Sequence, residues 1–255
     1  MSKPIYRYLA DKKWRSFARL MTVQRIEQLH IVPDVLPHFE PTAEVKLAFR
    51  TRAVQVGEFV DSRVSEVEPR LRVQVFDQGE RLVSIVVVDS DVPNLTTDDF
   101  TTRCHYLAMN IPLSPEINSL PLSFATDSQL VHKWLPPFAQ MGTPYHRYSV
   151  FVLEQPPNKT FDIKEMQEKV ARDGFKLSGF VNRFKVKPIG MNLFRSVWDE
   201  GTAGVMARNN IEGANVQFKR YRIPALKPKE KARGWDAKHA KAKYNIKTFR
   251  RGRMD

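Results

Sequence analysis

The sequence predicts a mostly β protein: an antiparallel sheet system with few helices, held between a basic helical N-terminal arm and a basic extended C-terminal arm. Three observations predict it. From about residue 43 to residue 155 the chain reads as strand after strand, with no helix-sized pattern between them, which argues against repeated βαβ units. Apolar residues make up 42% of the 255 residues, and 16 Phe supply core bulk, as in a globular chain and not a disordered one. Charge is segregated. Residues 1–25 hold seven Lys/Arg against one Asp, and residues 218–255 hold fourteen against three acids. The stretch between has 20 basic and 24 acidic residues, so the net +13 comes from the two ends. Basic ends on a mildly acidic body point to a polyanionic partner. The expected organisation is 1–42 as a basic helical arm with a proline-rich connector, 43–217 as the β domain and 218–255 as a basic extension.

Taken in order, "WRSFARLMTVQRIEQL" places Phe17, Leu20, Met21, Gln24, Ile26 and Leu29 at helical spacing among arginines. An Arg-rich, acid-poor amphipathic segment also fits a mitochondrial leader. The pattern runs on into what reads as structure, which favours a retained element; a longer precursor stays open. Pro33, Pro37 and Pro41 then predict an extended connector. "AEVKLAFR" and "RLRVQVFDQG" alternate as half-buried strands, the second ending at Gly79. "RLVSIVVVD" is a continuous apolar run, as in a strand buried on both faces. "HYLAMNI" and "HRYSVFVLEQ" are further strands. One helix follows, capped by Asp162 with Glu165, striped by Ile163, Met166 and Val170, and stopped by Gly174. Residues 175–200 read as a loop-rich segment with one or two strands. From Phe218 the chain is basic, broken by Pro224 and Pro228, and interleaved with aromatic residues.

No apolar run approaches the roughly 20 residues of a membrane span, so no stable membrane insertion is expected. The single Cys104 cannot form an internal disulfide. Two carboxylates, Asp89 and Asp91, end the apolar run Ile85–Val88, and Pro93 follows. They read either as turn acids or as groups held for a ligand. Partners for them stand at other strand starts: His105, then His146 with Tyr148, and a "VWDE" segment with Trp198, Asp199 and Glu200. Two acids, two histidines and a tyrosine can line a polar pocket for a small anion. No metal site is expected, since no tight ligand spacing is present. Cys104 and His105 are neighbours on a strand and face opposite ways, so they cannot form a catalytic dyad. No nucleophile elbow or phosphate loop is present, and no catalytic residue is assigned.

"DSDVPN", "CHYLAMNIP", "GTPYHRYSVFVLEQ" and "PIGMNLFRSVWDE" resemble, in this order, the signatures of the phosphatidylethanolamine-binding protein family. The resemblance covers roughly residues 45–200. It implies an antiparallel β-sandwich with a small anion or phospholipid-headgroup pocket, at which Asp89, Asp91, His105, His146 and Tyr148 match. The carboxylates would orient the histidines. Ser90 replaces a proline usual in the family, Cys104 a second histidine, and Gly201 a tyrosine. These departures imply an eroded pocket, so the five residues are vestigial anion-pocket candidates.

The basic flanks are similar to those of a ribosomal branch of this fold in mitochondria. That resemblance implies a non-catalytic structural role in the mitochondrial large ribosomal subunit, in the matrix. The implied partners are the large-subunit rRNA and neighbouring mitochondrial ribosomal proteins, with no cofactor and no small-molecule ligand. RNA-contact candidates are Lys12, Lys13, Arg15 and Arg19 in the first arm. In the second they are Lys219, Arg220, Arg222, Trp235, Lys241, Lys243, Arg250, Arg251 and Arg253. Arginine forks pair with phosphates and aromatic rings stack on bases. The competing surface for the tail is an anionic membrane. The competing function is that of a small-anion or headgroup binder and signalling modulator.

Overall fold

In a computed structural model, the strand-rich stretch folds into two stacked sheets. The structure describes residues 3–122, 125–157, 159–219, 233–235 and 237–238. The chain divides into two units, Met1–Phe218 and Lys219–Asp255. The strands are β1 Glu44–Phe49, β2 Arg52–Val54, β3 Glu58–Phe59, β4 Arg70–Gln74, β5 Arg81–Asn94, β6 Asp99–Leu113, β7 Ser119–Pro121, β8 Leu130–His132, β9 His146–Glu154 and β10 Lys187–Ser196. The smaller sheet has the order β2-β1-β4-β7 and the larger β3-β10-β9-β5-β6-β8. Neighbours pair antiparallel except β3 with β10. The helices are α1 Pro4–Lys13, α2 Arg19–Gln28, the single turns α3 Ile31–Asp34 and α4 Ser62–Ser65, then α5 Ile163–Lys169, α6 Leu177–Phe184 and α7 Thr202–Arg208. A π-helical turn, Trp14–Ala18, joins α1 to α2.

The larger sheet is covered on both faces. Ile85 and Val87 of β5 point between the sheets, meeting Leu47, Phe49 and Val73 from the smaller sheet. Val86 and Val88 point the other way, under Ile26, Ile31 and Leu36 of the N-terminal segment and Met166 and Phe180 of α5 and α6. All four are 0% exposed, which is why this strand shows no polar alternation. Burying each stabilises the fold by about 1.5–3 kcal/mol relative to leaving it in water.

Several expectations are corrected. The N-terminal helix forms, but Phe17, Leu20 and Met21 are exposed, while Trp14 and Ile26 are buried. The π turn explains this: its i→i+5 bonds insert a residue and rotate the faces on either side out of the 3.6-residue phase. Asp162 does cap α5, accepting from the Lys164 N–H at 3.0 Å. That helix ends at Lys169, however, and Val170 is already extended, so Gly174 does not stop it. Residues 175–200 are not loop-rich, because they hold α6 and the whole of β10. In the second unit, the Lys238 N–H donates to the Gly234 carbonyl at 3.4 Å.

Candidate functional site

Three strands of the larger sheet bring the polar residues together. β5 lies between β6 and β9, and Asp89 pairs in register with Arg103 on one side and Tyr148 on the other. A β-bulge decides where His105 points. Val87 pairs with Tyr106 and Val88 with Cys104, which leaves His105 as the extra residue on β6. Cys104 packs into the outer core, with burial pushing its thiol up to about 12. The His105 ring instead stands edge-on to Tyr148, with centroids 5.0 Å apart.

Asp89 is the hub. Its Oδ2 lies 2.8 Å from His146 Nδ1 and its Oδ1 accepts the Asp91 N–H at 2.9 Å. Hence His146 Nδ1 carries the proton, and its Nε2 sits 3.3 Å from Thr143 Oγ1. His105 Nδ1 donates to the Leu135 carbonyl at 2.8 Å, which leaves its Nε2 as a buried acceptor without a partner, 3.9 Å from Asp89 Oδ2. The Tyr148 hydroxyl donates to the Phe138 carbonyl at 3.0 Å, and its ring stacks on Phe194 at 5.1 Å.

These residues are 0–3% exposed, so burial is the largest influence on each. Burial pushes Asp89 up, but the His146 charge and hydrogen bond, with His105 and the Asp91 N–H, outweigh it and hold the carboxyl low. Burial pushes His146 down, but Asp89 overrides it and raises the imidazole above its ordinary value. For His105 burial wins against Asp89 and takes the ring down to about 4, so it is neutral near pH 7. Burial also raises Tyr148 well above its ordinary value, so it stays a phenol. The centre is therefore one buried, hydrogen-bonded pair, Asp89–His146, with a neutral histidine and tyrosine packed beside it.

A family model described as "Phosphatidylethanolamine-binding protein" matches residues 38–187. The chain belongs to this family. It is 28% identical to "Large ribosomal subunit protein mL38" of Schizosaccharomyces pombe over 228 residues, which cover 88% of this chain and 72% of the relative. Among solved structures, carboxypeptidase Y inhibitor in complex with its proteinase superposes with a TM-score of 0.56 at 14% identity. The match covers 71% of this chain and 97% of that one. The phosphatidylethanolamine-binding protein from Plasmodium vivax gives 0.54 at 16% identity, with 69% and 97% covered. These two likenesses concern the fold.

Within this family member the polar centre faces only a small cavity, of about 80 Å³, lined by Asp89, Arg103, Phe138, Gln140 and His146 among others. Of the five pocket candidates, Asp89 and His146 reach the cavity, while His105 and Tyr148 pack behind them. Asp91 is turned away, because Arg147 takes it with a fork: Nε on Oδ2 at 2.8 Å and Nη2 on Oδ1 at 2.7 Å. Asp199 also lies elsewhere, accepting from the Ser62 N–H at 2.8 Å and the Thr202 hydroxyl at 2.9 Å, where it ties α4 to α7. At Gly201 a Cβ would meet Ser62 Oγ at 2.7 Å and Arg63 Cγ at 2.8 Å, so the space beside it is already filled. Arg103 and Phe138, which sequence reasoning missed, form part of the wall, with the guanidinium 5.5 Å from the ring centroid. A cavity of about 780 Å³ opens at the other end of β5 and β9, beside Arg81, Glu154, Lys185 and Lys187. It shares no residue with the Asp89 centre. Among the described residues no group of three or more His, Cys, Asp or Glu is placed to hold a metal. Among them too, no helix is long and apolar enough to cross a membrane.

The RNA-contact candidates fall in both units. Lys12 and Lys13 are exposed at the end of α1. Arg15 pairs with Asp11 at 2.7 Å and Arg19 with Glu40 at 3.0 Å. Lys219 and Trp235 are exposed. Arg220, Arg222, Lys241, Lys243, Arg250, Arg251 and Arg253 lie outside the described residues.

Proposed function

We propose that this chain is a non-catalytic structural constituent of the mitochondrial large ribosomal subunit, working in the matrix. Its sandwich is a rigid body, and its basic ends hold the large-subunit rRNA and neighbouring ribosomal proteins. One observation carries the reading: the likeness to a large-subunit ribosomal protein spans 228 residues, well beyond the 38–187 that match the family model. What that relative shares with this chain therefore includes flanking sequence, where the basic charge is concentrated. The Asp89–His146 centre supports the same reading, since the two side chains satisfy each other across 2.8 Å beside a small cavity.

Phosphate contacts release counterions, so binding through the ends must weaken steeply with salt. The test compares RNA binding by the full chain and by a chain ending at Val216, between about 50 and 200 mM salt. The full chain is expected to bind more tightly and with the steeper slope. Equal affinities and slopes would remove the tail from the interface.

A second reading, a small-anion or headgroup binder, draws on the Arg103 guanidinium and the His146 imidazole, which both line the small cavity. Calorimetric titration with phosphorylethanolamine separates the two. Saturable binding that is lost in His146→Ala favours the second reading, and no heat in either protein favours the scaffold.

A further inference from the structure

At the end of the larger sheet a cation stands without a carboxylate. Arg195 of β10 pairs in register with Phe59 of the edge strand β3 on one side and with Arg147 of β9 on the other. Arg147 is fully engaged by Asp91 and Asp34. Arg195 has no ion pair among the described residues. Its Nε donates to the Gly57 carbonyl at 2.8 Å, which fixes the plane of the fork. A guanidinium has five N–H donors, and this bond uses one. The remaining face is aromatic. The guanidinium carbon lies 4.0 Å from the Phe59 ring centroid and 5.1 Å from that of Tyr145, and the two rings meet edge-on at 6.0 Å. Phe59 is 47% and Tyr145 41% exposed, large values for rings already packed on a cation.

We propose that Arg195, Phe59 and Tyr145 form a seat for one unstacked RNA nucleotide, with the base against the exposed aromatic pair and the phosphate on the Arg195 fork. This rests on RNA being a partner, as proposed above, but it places a contact on the folded body and not on the basic ends. The chemistry selects the occupant. An acidic side chain would pair the guanidinium and leave the rings uncovered. An apolar side chain would cover the rings and desolvate an unpaired cation. A nucleotide supplies a π-face and an anion together, and single-stranded RNA is recognised by stacking on aromatic and arginine planes.

The test uses the full chain and a short oligouridine, plain for affinity and carrying 4-thiouridine for photo-crosslinking, at fixed low salt. Tyr145→Leu and Phe59→Leu keep bulk and remove the π-face; Arg195→Lys keeps the charge and removes the fork. Each is expected to weaken binding about fivefold or more, the scale of one lost base stack. Leu95→Ala, on an exposed loop, should leave binding unchanged, and crosslinked peptides should contain Phe59 or Tyr145. Thermal melts identify any variant that fails to fold, and the crosslink then decides. Wild-type binding with equal affinity in all three variants overturns the seat and leaves the proposed function standing. No RNA binding by the wild type overturns both. Variants that keep their RNA affinity but no longer co-sediment with ribosomal particles would mean that this surface takes a protein, and the seat is again overturned.

Discussion

Asp89, His105 and His146 set a stability optimum by their opposite shifts. His146 is raised in the folded chain, so its contribution is complete below the ordinary histidine value of 6.5 and is lost as pH rises through the folded value. His105 is held neutral down to about 4, so between pH 6.5 and 4 the unfolded chain takes up a proton that the folded chain refuses. Stability then falls on acidification by up to about 1.4 kcal/mol per pH unit, roughly 3 kcal/mol across the window. Asp89 is depressed, so its contribution is lost only as pH falls from 3.8 through its folded value. This cluster therefore favours a maximum near pH 6.5. Urea unfolding of the wild type and of His105→Phe between pH 4.5 and 8 checks it. The variant should lose the acid limb and keep the alkaline one; an unchanged acid slope would contradict the assignment. The groups facing this cluster include the guanidinium groups of Arg103 and Arg172, both of which push the His105 ring further down.

Among the elements, the end of α2 is tied to the sandwich by a polar grip as well as by the packing of Ile26. Arg147 grips Asp91 and also donates from Nη1 to the Leu29 carbonyl at 2.7 Å and to Asp34 at 2.9 Å, at the C-terminal end of α2 where carbonyls lack helical partners. The Arg147 and Asp91 side chains are 14% and 18% exposed, so the pair lies between a surface and a buried bridge. Arg147→Met should cost about 2–3 kcal/mol, between the ~0–1 of surface pairs and the ~3–5 of broken buried ones. It should also speed proteolysis between residues 19 and 36. Unchanged denaturation and cleavage would mean that α2 is held by its apolar contacts alone. How far the sequence displays these elements depends on whether the information is local. The run Ile85–Val88 announces a strand covered on both faces, and alternation marks β1 and β4. The Arg147 grip is not local, because it requires β5 and β9 to be sheet neighbours, and Asp91 consequently read as a pocket acid. The helix face was misread because one π turn shifts its phase. In "LSGFVNRF", Leu177, Phe180, Val181 and Phe184 carry the i, i+3, i+4, i+7 signal of α6, but the interior Gly179 and the short length hid it.

For the whole molecule, the proposed role divides the work between shape and charge. The middle of the sequence is mildly acidic, and the surplus of positive charge lies at the ends. Exposed Ile5, Tyr8, Leu9 and Phe17 on the N-terminal helix add apolar surface to the same end. Three of the four signature segments bring Asp89, His105, His146 and Tyr148 together on neighbouring strands, while Asp199 of the fourth ties α4 to α7 instead. The small size of the cavity beside them could not be read from the sequence, since it depends on packing by Arg103 and Phe138 from β6 and a loop. The most direct measurement is to separate mitochondrial lysate on a density gradient, with a high-salt wash, and follow this chain. It is expected to travel with the large ribosomal particle, to resist a moderate wash, and to be released earlier when it ends at Val216. A chain found only at the top of the gradient, as a free monomer, would contradict the ribosomal role.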